Sequence, residues 1–153
     1  MSVRFVQGDI FQTSAQAVAL GLSVSGRLSV APLWTAVQDR CPVFVSDYHK
    51  RSRAGSLSPG DLWVWREGTP WLVGMVVRDT PQSAARARYV ETALLNLYKH
   101  WQREQLGSLA LMAFDEGIEW AAVRGLIEDY LGRIELPVIV YERYEPGAAV
   151  ESG

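Results

Sequence analysis

Cysteine is almost absent: Cys41 stands alone among 153 residues. No intrachain disulfide can form, and with only His49 and His100 beside it there is no Cys/His set for a metal. The two histidines are far apart and each adjoins a lysine, so both read as surface residues. A nucleophilic Cys41 would need a neighbouring base. "DRCPVF" supplies none and reads as a half-buried thiol at a helix end. Basic clustering is missing too. The 15 Lys and Arg residues are scattered against 17 Asp and Glu, for a net charge of -2. The electrostatic footprint of a duplex-binding protein is therefore absent, and no specific nucleic-acid binding is expected. No stretch of about 20 residues is uniformly apolar, so no membrane span is expected. The opening "MSVRFVQGDIF" has neither the charged leader nor the apolar centre of a signal peptide. The expected location is cytoplasmic.

What is present is ample core material. At 48% hydrophobic and 21% charged, the chain has the makings of one ordinary domain able to bury a core between layers. We expect that domain over residues 1–145 and a disordered tail over 146–153, within "EPGAAVESG".

"VRFVQGD" reads as a strand stopped by Gly8-Asp9, and Ala17 to Leu22 as a second, covered on both faces by small residues. "VSGRLSVAPLW" follows as a loop. Pro32 suits the first turn of a helix, "PLWTAVQDR", and Pro42 is expected to end it. "DYHKRSRAGSLSPGD" reads as turn-rich, with one helical turn at its start. "DLWVW" and "WLVGMVV" form strands joined by "REGTP", an antiparallel pair. "SAARARYVETALLNLYKHWQRE" is the clearest helix: Tyr89, Ala93, Leu94, Leu97 and Trp101 share one face. "SLALMAF", "EWAAVRGLIEDYL" and "PVIVYERY" complete a strand, a helix and a last strand. Alternating elements with one hairpin predict an α/β fold: a three-layer α/β/α sandwich on a mixed, largely parallel sheet of about six strands. Ligands in such sheets bind beyond the carboxyl ends of the strands. That directs attention to Gly8-Asp9, Ser23 to Ser29, "RDTPQS" after Val77, and Asp115 to Gly117.

The order of these segments resembles the macrodomain family, whose members bind ADP-ribose. The resemblance spans about Val3 to Tyr144. "VQGDIF" resembles the family's opening strand and Gly-Asp-Ile turn. "AQAVALGLSVSG" lies where the second strand enters the first ligand loop. "SLSPGDLWVW" resembles the Pro-Gly-Asp before a strand, "GIEWAAVRGLIEDYL" the Trp-x-x-Val helix, and "LPVIVYERY" the final strand. The layout of the second half is most similar to the branch that removes terminal ADP-ribose from protein carboxylates. Departures are visible. "GLSVSGRLSVAP" has no asparagine and only Gly26 where the family has a glycine-rich loop, and the second phosphate loop is shortened to "FDEGIEW". That branch uses a lysine that forms a covalent sugar adduct. This chain has only Lys50 and Lys99, and Arg78 stands near the relevant place.

The resemblance implies site residues, each with a plainer alternative. Asp9 would accept a hydrogen bond from the adenine amino group, with Gly8 and the Ile10 N–H beside it; otherwise it is a turn aspartate bonding its own backbone. Ser23, Ser25, Gly26 and Arg27 would bind a diphosphate through amides, hydroxyls and one charge, or form an ordinary surface loop. Phe114, Gly117 and Ile118 would border phosphate at the start of the last long helix. Asp115 and Glu116 are acid/base candidates for hydrolysing an ADP-ribosyl linkage, or caps complementing a helix dipole. Tyr144 would stack on adenine, whereas Tyr141 reads as packing. Trp63 and Trp65 face the same way along one strand, and would mark a partner surface if that face is open. The expected ligand or product is ADP-ribose and the expected partner ADP-ribose or an ADP-ribosylated protein, with no cofactor and no metal. The alternative is a degenerate macrodomain that has lost its ligand and acts as an interaction module.

Overall fold

The computed structural model describes residues 3–25, 31–114 and 119–150. Six strands form one sheet: β1 (Val3–Gly8), β2 (Ala17–Ser23), β3 (Leu62–Trp65), β4 (Trp71–Arg78), β5 (Leu109–Met112) and β6 (Val138–Tyr144). Their spatial order is β1-β6-β5-β2-β4-β3. Every neighbouring pair is parallel except β3 with β4, as the hairpin reading required. Four helices are described: α1 (Pro32–Arg40), α2 (Pro42–Arg53), α3 (Ala87–His100) and α4 (Trp120–Leu131). A short 3-10 turn, Ile10–Gln12, follows β1. None is long and apolar enough to cross a membrane.

Period-two alternation builds two cores, one on each face of the sheet. Ala17 and Ala19 of β2, Val73, Met75 and Val77 of β4, and Leu109 and Leu111 of β5 join α3 and α4. Val18, Leu20 and Leu22, Leu72 and Val76, and Ala110 and Met112 join α1, α2 and the 3-10 turn. The result is the expected three-layer sandwich.

Pro42 ends the first helix as read, since α1 stops at Arg40. Two local readings change. Pro42 also opens α2 at its first position, where a missing N–H breaks no bond. The break between the helices is Cys41, at φ -134° and ψ 59°. The polar run after it is helical through Arg53, because Phe44 and Tyr48, one turn apart, are both fully buried. The long helix is α3 over Ala87–His100 only: a turn held by Thr80 and Ser83 precedes it, and Gln105, at φ 64°, lies in the turn beyond it. Residues 145–148 bond to the corner after β1. Glu145 N–H donates to Gly8 O at 2.8 Å, and Asp9 N–H donates to Ala148 O at 2.9 Å.

Candidate functional site

The connection from β2 runs toward β4 and β3, while the connection from β5 runs the other way, to β6. The gap between β2 and β5 is thus the switch point where α/β sheets open a crevice. A small cavity of about 40 Å³ lies there, lined by Gly21, Trp34, Arg78, Met112 and Phe114 among others. It adjoins a larger one of about 370 Å³, which shares Leu33, Trp34, Met112 and Ala113 and ends at Arg143, Tyr144 and Pro146. Together they form one crevice across the carboxyl ends of β5 and β6, roofed by the start of α1. That helix has Pro32 at its first turn and no side-chain cap on Ala31. The positive end of its dipole therefore lies at the crevice.

Arg78 ends β4 and is 8% exposed. It sits beside a bulge: pairing slips between Leu22 and Ser23, after which Ser23 faces Arg78 across the strands. Beyond the bulge, Val24 N–H donates to Arg78 O at 2.9 Å and Ser25 N–H to Asp79 O at 3.1 Å. The two strand exits are thereby tied together. The remaining "RDTPQS" corner is structural. Asp79 accepts from Arg86 Nε and from the Tyr89 hydroxyl, both at 2.9 Å. That hydrogen bond is the leading reason the Tyr89 hydroxyl titrates above its ordinary value.

Ser23 was placed in the ligand loop by sequence. In the structure it is the last residue of β2, 2% exposed and bonded to Tyr48 of α2. Its N–H donates to the Tyr48 hydroxyl at 2.8 Å, and that hydroxyl donates to Ser23 O at 2.7 Å. Ser23 Oγ lies 3.1 Å from both Tyr48 Oη and Ser25 Oγ. Burial is the main cause of the raised Tyr48 pKa, opposed by its bonds to Ser23 and by Arg78. Sequence reading missed Tyr48. Its signal was an aromatic one turn beyond Phe44 inside an otherwise polar run.

Asp9 is 4% exposed. Its Oδ1 accepts the Phe11 N–H at 2.9 Å, capping the 3-10 turn. Its Oδ2 accepts the Gly147 N–H, also at 2.9 Å. Gly8 is paired with Tyr144, so Asp9 stands at the Tyr144 end of the crevice. Tyr144 packs edge-on against Phe11, with ring centroids 6.3 Å apart. Its pKa is raised by burial first and by Asp9 second, with Arg40 opposing. Ile10 is fully buried beneath this corner, Phe114 is buried at the switch point, and Tyr141 is core, as read. Glu142 also lines the crevice, but it accepts from Trp120 Nε1 at 2.6 Å and pairs with Arg124 at 3.1 Å. Gly26, Arg27, Asp115, Glu116, Gly117 and Ile118 lie outside the described residues. The structure thus brings together Gly8, Asp9, Ile10 and Tyr144 at one end, and Phe114 with Arg78 at the other.

A separate groove of about 690 Å³ runs between α2 and the edge strand β3, with Trp63, Trp65, Lys50 and Arg51 in its lining. It is larger than the crevice but lies off the switch point. Its walls are engaged with one another: Arg51 lies 4.5 Å over the Trp63 ring, and Trp65 Nε1 donates to Asp47 at 3.0 Å. Trp63 and Trp65 are only 8% and 7% exposed, packed on Phe44. The tryptophan face that would have marked an open partner surface is covered by α2. Cys41 is half-buried between α1 and α2, and burial raises its thiol pKa despite Arg40. Among the described residues, no group of three or more His, Cys, Asp and Glu is arranged to hold a metal.

No family model matches the chain, and no curated protein does. Solved structures do. The chain is similar to the macrodomain of Thermus aquaticus DarG, at TM-score 0.81 and 22% identity over 94% of this chain and 98% of that one. It is similar to the macrodomain of Mycobacterium tuberculosis DarG, at 0.80 and 15% over 91% and 96%. Thermosipho africanus DarTG, solved in complex with ADP-ribose, aligns at 0.86 and 19% over 99% of this chain and 43% of that one. The chain has the macrodomain fold.

Proposed function

We propose that this macrodomain-fold chain binds ADP-ribose, or a closely related adenine nucleotide, in the crevice at the ends of β5 and β6. One observation carries the reading: the crevice runs from an arginine at the switch point to an aromatic ring that stands beside Asp9. A cation and a helix N-terminus suit a diphosphate. A carboxylate beside an aromatic ring suits an adenine, whose amino group donates and whose face stacks. The volume of the larger cavity is in the range of small-ligand sites. The solved complex of T. africanus DarTG with ADP-ribose supports the same ligand class.

In this reading Arg78 and the α1 N-terminus hold the diphosphate, Trp34 walls the middle, and Tyr144 and Asp9 receive the base. Release of ADP-ribose from modified proteins is the reaction this site would serve, with Asp115 and Glu116 as acid/base candidates. Calorimetric titration with ADP-ribose tests the binding. Saturable heat and a rise in thermal midpoint are expected, since a ligand that binds only the native state must stabilise it. Neither signal at millimolar ligand would reject the reading in favour of a fold that has lost its ligand. For the reaction, ADP-ribosylated protein should be turned over by the wild type and spared by both Asp115→Ala and Glu116→Ala. Turnover by both variants would remove these residues from the chemistry.

A further inference from the structure

The Asp9 carboxylate, beside the Tyr144 end of the crevice, is already bonded by the chain itself. After β6 the backbone turns at residues 145–148, closed by Ala148 N–H to Glu145 O at 3.1 Å. The turn needs Gly147, whose φ of +77° is strained for any side-chain-bearing residue. Three bonds then hold this segment across the corner after β1. Glu145 N–H donates to Gly8 O at 2.8 Å, Asp9 N–H to Ala148 O at 2.9 Å, and Gly147 N–H to Asp9 Oδ2 at 2.9 Å. Val150 lies directly over the α-carbon of Gly8. A Cβ there would overlap Val150 and sit 2.9 Å from Ala148 O, so glycine permits the approach. Pro146 forms part of the crevice wall beside Tyr144.

This geometry conflicts with an adenine at Asp9. An exocyclic amine brings an N–H to a carboxylate oxygen, and Gly147 makes that contact from within the chain. Oδ1 is committed to Phe11, and at 4% exposure the carboxylate offers a ligand no approach while the segment is docked. We propose that residues 145–150 form an intramolecular strap that competes with the adenine for Asp9, so that ligand binding and strap docking exclude each other. This rests on the crevice being the adenine-nucleotide site. The segment is suited to the role. Its bonds are few and mostly to backbone, its outer residues are exposed, and only Val150 adds apolar anchorage. The consequence is an affinity lowered by the fraction of molecules with the strap lifted.

The test uses the full chain and two full-length variants. Gly147→Pro removes the donor to Asp9 and forbids the turn's φ, and Val150→Asp removes the apolar anchor. Thermal unfolding confirms that each is folded, and either folded variant suffices. Titrated with ADP-ribose, the variants should bind about tenfold tighter than wild type or better, the gain expected when a mostly closed state is opened. In the wild type, amide exchange at Asp9 should be slow when free and faster at saturating ADP-ribose, as its partner Ala148 leaves. Equal affinities with unchanged Asp9 exchange would overturn the strap while leaving the ligand reading intact. Weaker binding by the variants would also overturn it, making the segment a wall of the site. No binding by any of the three proteins would instead reject the ligand reading, and the strap with it.

Discussion

Replacing Asp9 separates its structural work from any ligand contact. The carboxylate accepts two backbone N–H groups, from Phe11 at 2.9 Å and Gly147 at 2.9 Å, in a nearly closed site. Hydrogen bonds to a charged acceptor contribute about 1.5–3 kcal/mol each, so the pair sets an upper limit of about 3–6 kcal/mol. Two effects reduce it. Asp9→Ala relieves a buried carboxylate of its desolvation, and once the segment at 145–150 lifts, water satisfies the freed Gly147 N–H. A loss of about 2–4 kcal/mol remains, at or above the upper part of the range for removing an N-cap. For a domain of this size it should lower the thermal midpoint by roughly 5–15 °C. Asp9→Asn keeps one acceptor oxygen but puts an amino group in place of the other, so one of the two N–H donors loses its acceptor. About half the penalty is expected. The assay is urea unfolding of wild type and both variants, reading midpoint and slope. Asp9→Ala within about 0.5 kcal/mol of wild type, the scatter of neutral surface changes, would refute the claim that this residue ties the end of β1 to the end of the chain.

Other consequences follow from single contacts. Tyr48→Phe removes the hydroxyl that bonds both the Ser23 N–H and C=O, which should cost about 2–4 kcal/mol in urea unfolding. Because burial holds Tyr48 protonated above its ordinary value of 10.0, wild-type stability should fall as pH rises past about 10, where only the unfolded chain releases this proton. The contribution is complete below that pH and lost through the folded-state value, and Tyr48→Phe should flatten the fall; an identical slope would contradict it. Gly74→Ala drives a methyl group into the Leu22 side chain and toward Trp63, and should destabilise by about 1–3 kcal/mol by thermal unfolding. Cys41 should be alkylated by iodoacetamide at pH 8 more slowly in the folded protein than in urea, since burial disfavours its thiolate; equal rates would contradict that environment.

The strands were legible because each is a run whose alternate residues feed the two cores, a local pattern. The hairpin of β3 and β4 was legible from its short connection. The start of α2 was not, because proline both stops one helix and opens another, and only the buried faces of Phe44 and Tyr48 decide between them. Ser23 was read with the loop because it follows the apolar run from Ala17 to Leu22; that it closes β2 depends on a partner, Tyr48, 25 residues away. Segment 145–150 carries no local signal at all. Its glycine, proline and alanines read as disorder, and its order comes from bonds to residues 138 positions earlier. The Asp9 corner was legible as the Gly-Asp-Ile turn, but the Gly147 N–H at its carboxylate comes from a segment that only the fold brings beside it.

The most direct test of the proposed function is amide and indole chemical-shift mapping of the full chain with ADP-ribose. The account predicts saturable shifts clustered at Phe11, Trp34, Ala113 and Tyr144, together with Asp9 and Gly147 as the strap leaves. Saturable shifts confined instead to the groove at Trp63 and Trp65, or no shifts at millimolar ligand, would contradict it.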